Sequence, residues 1–138
     1  MNNNEKLKEF INEKFNIKLN DKLINIIIEC KESNELIHVY AIVGDKLIDW
    51  LDSYHNIKSN PEEIDNFRKE NSNNEFWAQC FDALNLDSFV NWNKSNKMGR
   101  EIKATFIEAL IFCFFEQTQD FNRTYESLKF IRSKINAS

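Results

Sequence analysis

Apolar residues recur along this chain at intervals of three and four, the period of helices with one buried face. Leu7, Phe10, Ile11 and Phe15 form the first such stripe and predict a helix over about residues 4–15. Asn20-Asp21 offers an N-cap for a second helix, carrying Leu23, Ile24 and Ile26 to Ile28, and Ser33-Asn34 breaks it. The stretch LIHVYAIVGDKLIDW follows, from Leu36 to Trp50. Its valines and isoleucines suit a strand, but its length and the stripe Val39, Val43, Leu47, Trp50, Leu51 and Tyr54 predict a helix over 36–54. At the next start Asn60 caps, Pro61 suits the first turn, and Glu62 and Glu63 complement the positive end of the helix dipole. That helix runs to about Asn71, where NSNN interrupts. A fifth helix carries Phe76, Trp77, Cys80, Phe81 and Leu84. The sixth, over 100–117, contains the very apolar run ATFIEALIFCFF, and a terminal helix spans Tyr125 to Ile135. The pattern predicts an all-α domain of about seven helices, with the two most apolar, 36–54 and 100–117, packed together at its centre.

Composition supports that reading. A chain of 138 residues forms one domain, here 1–138. Two Gly and one Pro are too few for the tight turns of a β-sandwich or barrel, and they exclude a Gly-rich phosphate loop. Cys30, Cys80 and Cys113 are scattered and odd in number, which argues against a disulfide framework and for a reducing compartment. With only His38 and His55 beside them, a Cys/His zinc site has almost no material. The start, MNNNEKLKEF, has no apolar signal segment, and no apolar run reaches membrane-spanning length, so a cytoplasmic location without membrane association is expected. The abundance of Asn, Lys and Ile reads as a drift towards A/T-rich codons. The net charge of −4 runs against general nucleic-acid binding. The one local basic cluster is Lys94, Lys97, Arg100 and Lys103, in and after a polar connection that also carries Trp92, the one aromatic expected to be exposed.

Two carboxylates sit where apolar residues belong. Asp45 follows Gly44 in the middle of helix 36–54, and Glu108 is the only charged residue between Lys103 and Glu116. Burying an ionised carboxylate alone is costly, so such groups are neutralised, paired or metal-bound. A mid-helix Gly costs about 1 kcal/mol against Ala and marks a close backbone approach. Two central helices with one inward carboxylate each suit a divalent cation such as Mg²⁺. The same residues also permit a structural reading, with Asp45 paired to Lys103 or Arg100 and Glu108 in a hydrogen-bond network. Asp49 and Asp52 lie four and seven residues after Asp45; they are placed to act as outer acids or to line a solvated face.

These motifs together resemble the ribonuclease III catalytic domain. AIVGDKLIDW is similar to its Gly-Asp signature helix, and ATFIEALIFCFF to its Glu-Ala-Leu helix. Between them, Arg68 and the segment Ser72 to Ala78 resemble the family's arginine and "SNxxLA", and Leu84 to Phe89 its "LGLxxY". The likeness covers about residues 5–136, in order. The departures are His38, Ala41 and Thr105 at positions where full-sized enzymes carry acids, a pattern closest to the mini ribonuclease III subgroup, and Ile42 at the place of an aromatic knob that enters a partner subunit. The resemblance implies a Mg²⁺-dependent endoribonuclease (Mn²⁺ substituting) acting on double-stranded RNA, without an appended double-stranded-RNA-binding domain. Asp45 and Glu108 would be catalytic and metal-binding, with Gly44, Thr105, Asp49 and Asn74 supporting them and Lys94, Lys97, Arg100 and Lys103 on RNA. It also implies a homodimer through the helix of Gly44, where Gly44 and Ala41 give a small-residue surface. The alternative is a catalytically degenerate dimerisation or scaffold subunit of an RNA-processing or ribonucleoprotein complex.

Overall fold

A computed structural model describes residues 1–93 and 97–136. Among them are seven α-helices: α1 (Asn3–Phe15), α2 (Asp21–Ile28), α3 (Glu35–His55), α4 (Pro61–Asn71), α5 (Asn74–Ala83), α6 (Arg100–Thr118) and α7 (Phe121–Asn136). A short 3-10 turn spans Leu86–Ser88, and the only β-type pairing among the described residues is an isolated parallel bridge between Glu29 and Asn91. The all-α expectation holds, and the central pair is as expected: α3 and α6 share the most extensive helix contact, with α5 next against α6. No helix among the described residues is long and apolar enough to cross a membrane.

The helix starts share one device. Asn2, Asn20, Asn34, Asn60 and Asn73 each accept a hydrogen bond on the side-chain oxygen from the backbone N–H three residues on, opening α1 to α5. Each such cap contributes about 1 kcal/mol. The asparagines are therefore structural chemistry and not only codon drift. Helix α7 begins four residues earlier than expected, because the Asp120 carboxylate accepts from the Arg123 N–H at 3.1 Å and caps a turn that the apolar spacing does not mark.

Helix α6 lies at the centre, with Phe106, Ile107, Leu110, Ile111 and Phe114 fully buried. Trp77 and Phe81 of α5 pack on it, with the Phe81 and Phe106 rings edge to face at 5.6 Å. Helix α3 turns a different face to the core than its most apolar stripe predicts. Ile37, Ala41, Gly44, Ile48 and Leu51 are buried, whereas Val39, Val43, Trp50 and Tyr54 are exposed, as are Leu36 and Ile42. The exposed Trp50 stacks on Tyr54 and packs against Phe121 at the start of α7. Trp92 is half-buried against the core, its indole N–H donating to the Asp87 carbonyl at 3.1 Å, which corrects the expectation that it is exposed.

Asp52 is a second correction. It is fully buried, not solvated or an outer acid of a site, and Arg132 of α7 grips it with two hydrogen bonds of 2.6 and 2.9 Å. The same guanidinium donates to the Asn71 carbonyl and the Ser72 hydroxyl and lies over the Phe67 and Trp77 rings. One buried cation thus ties α3, α7 and the α4–α5 junction together. A network of this kind holds position well, because removing either charge strands the other.

Candidate functional site

The α3–α6 crossing is made by main-chain atoms. A Cβ added to Gly44 would stand 1.8 Å from the Glu108 carbonyl oxygen and 2.6 Å from its carbonyl carbon. Any side chain at 44 would force the helices apart, so the mid-helix glycine is explained by close approach, within one subunit. This corrects the small-residue surface expected at a subunit contact: Gly44 and Ala41 are both buried inside the monomer.

That crossing fixes the acid pair. Asp45 follows Gly44 and Glu108 supplies the carbonyl it meets, so the two carboxyls leave facing helices at the same level. They are close enough for the Asp45 charge to act on Glu108. Burial, and then the Asp45 charge and hydrogen bond, push the Glu108 carboxyl up to about 8, while Arg68 pulls weakly the other way. A carboxyl so raised is mostly protonated at neutral pH.

Arg68 of α4, not Lys103 or Arg100, pairs with the acids of α3 here. One of its terminal nitrogens pairs with Asp49, and the other lies 3.8 Å from Asp45. Asp45, Asp49, Asp65, Arg68, Ser72 and Asn73, with Lys46 and Lys69, line a shallow groove of about 400 Å³ over this cluster. Thr105 lies half-buried on α6, three residues before Glu108, and Asn74 is exposed at the first position of α5, whose cap is its neighbour Asn73. A larger cleft of about 680 Å³ lies elsewhere, between Cys30–Ser33 on one side and Trp92, Asn93, Lys97, Met98, Gly99 and Ile102 on the other.

The basic cluster is less free than its spacing implies. Arg100 lies 3.3 Å from Glu75 and 3.8 Å from Glu101, and Lys103 donates to Asp82 at 2.8 Å. Lys97 is exposed, and Lys94 lies outside the described residues. Sequence spacing shows cations close along the chain but not the acids that α5 brings to them.

Among the described residues no group of three or more His, Cys, Asp or Glu side chains converges as a metal-ligand set. The pair Asp45 and Glu108 still fits a hard cation by its chemistry. Both donors are carboxyl oxygens, they face each other across a rigid crossing, and Mg²⁺ is commonly held by one or two carboxylates with water and phosphate completing its shell. No protein-family model, curated protein or solved structure matches this chain.

Proposed function

We propose that this chain is a Mg²⁺-dependent endoribonuclease of the ribonuclease III type, acting on double-stranded RNA. The observation that supports it best is the Asp45–Glu108 pair, held by the Gly44 contact at the centre of the α3–α6 crossing. Bringing a second carboxyl beside the half-exposed Asp45 raises the cost of ionising Glu108, a cost that a bound cation would offset. A bound cation would supply Lewis acidity towards the scissile phosphate and its attacking water. Asp45 and Glu108 would hold it, Glu108 giving up its proton on binding. Lys97, Arg100 and Lys103, with Lys94, would contact phosphates, so RNA binding should be weak and steeply salt-dependent.

The exposed apolar face of α3 supports a symmetric homodimer. Ile42 is 64 % exposed and Leu36 55 %, with Val39 and Val43 beside them. Contiguous apolar patches of this kind on soluble domains mark interaction surfaces, and a twofold contact uses the same patch on both copies. The contact would thus use the outward stripe of α3 and leave Gly44 inside each subunit.

A degenerate scaffold subunit is the second reading, favoured by the ion pairs that occupy Arg100 and Lys103. Duplex-RNA cleavage with Mg²⁺ separates the two. Wild type should cut while Asp45→Asn and Glu108→Gln do not; inactivity of all three rejects the enzyme, and equal activity of all three rejects this site. Sedimentation of wild type against Ile42→Asp tests the dimer, which is wrong if the wild type is a 16.5 kDa monomer at micromolar concentration.

A further inference from the structure

We propose that Arg68 is the internal counter-ion of the acid site, occupying the place of a divalent cation and leaving Asp45 when one binds. The proposal rests on the reading of Asp45 and Glu108 as a metal pair. Three observations carry it. Asp45 and Asp49 are one turn apart on α3, and a single guanidinium from α4 spans both. The Arg68 side chain is only 18 % exposed, while the two acids it holds are 46 and 59 % exposed. The cation is therefore seated beneath its partners, unlike the loose surface pairs that contribute little. Finally, its grip on the two acids is unequal: Asp49 is in tight contact, whereas the Asp45 contact is a long 3.8 Å, so Asp45 can be released while Asp49 keeps the arginine.

A guanidinium cannot lose its charge at any accessible pH, so it cannot make room by titrating. It has to move. A dication about 4 Å from a fixed guanidinium is disfavoured by roughly thirtyfold even at the dielectric of water, and by about tenfold with physiological salt. Swinging away from Asp45 about the Asp49 contact relieves that repulsion and leaves Asp45 free to turn both oxygens to the cation. Arg68 in this scheme sets how much cation the site requires; it is not itself a ligand.

The test is Mn²⁺ binding, followed by the electron paramagnetic resonance signal of the free ion, for wild type, Arg68→Gln and the double variant Arg68→Gln/Asp45→Asn. The single variant is expected to bind about tenfold more tightly at 0.15 M salt, with a larger gap at lower salt, and the double variant to lose that binding. Arg68→Gln binding no more tightly than wild type overturns the counter-ion role while leaving a metal site in place. Binding that survives Asp45→Asn, or no binding in any of the three, overturns both this role and the metal reading. A second measurement uses the wild type alone and so does not depend on the variant folding. The Arg68 side-chain N–H resonance should shift as Mg²⁺ is titrated with the same midpoint as binding; a resonance unmoved at saturating Mg²⁺ rejects the displacement.

Discussion

Replacing Glu108 by Gln should stabilise the metal-free protein at neutral pH, although it removes a central polar group. The Glu108 carboxyl sits at about 8 in the fold, against 4.5 in the unfolded chain. Its folded value is raised, so its contribution to stability is fully present below 4.5 and is lost as pH rises through the window from 4.5 to about 8. At pH 7 the full linkage amounts to about 3 kcal/mol. Asp45 is half exposed, and water screens its share of the effect, so a gain of about 1–2 kcal/mol is expected on removing the ionisable group, or roughly 4–8 °C in melting temperature. Glutamine keeps the shape and cannot ionise. The assay is a set of thermal melts in EDTA from pH 4 to 9. The two proteins should coincide near pH 4 and diverge steadily up to pH 8. A Gln variant less stable than wild type at pH 7, or a constant offset across the whole range, would show that Glu108 is an ordinary structural partner and is not held neutral by burial.

Gly44→Ala should separate α3 from α6 and cost more than about 3 kcal/mol, seen as a large fall in the urea midpoint, because the new Cβ meets backbone and not a movable side chain. Asp52→Ala should cost about 3–5 kcal/mol by stranding the buried Arg132 charge, while Asp52→Leu combined with Arg132→Met should recover much of that loss in the same denaturation assay. Burial pushes the Cys30 and Cys80 thiols up to about 12 and raises Cys113 as well, so none of the three should react with a disulfide reagent at pH 8 until the protein is unfolded.

Most of the helical framework was legible because local signals and periodicity agreed. Asn60-Pro61-Glu62-Glu63 marks a helix start by cap, fixed φ and dipole at once, and α4 begins there. The facing of α3 was not legible. It carries apolar residues all round, so periodicity identifies a helix without saying which side meets α6; the buried side is the one with Gly44, which has no hydrophobic signal at all. Asp52 misled for a related reason. Its burial depends on Arg132, eighty residues away on α7, and no local pattern encodes a partner at that separation. The acid pair could be found because a charge in an apolar run is conspicuous on its own. Arg68 was legible only through the family resemblance; in a polar helix, spacing alone does not show that it reaches Asp45 and Asp49.

The Gly44–Glu108 contact joins peptide groups, and peptide groups are the same whatever side chain a codon specifies. The crossing is consequently blind to which side chains stand at 45 and 108. Position 108 can exchange its carboxyl for an amide, and 45 likewise, while the carbonyl that meets Gly44 stays where it is. A lineage could lose the acids one at a time and keep the scaffold, or regain them without rebuilding it; only a side chain at 44 is forbidden throughout.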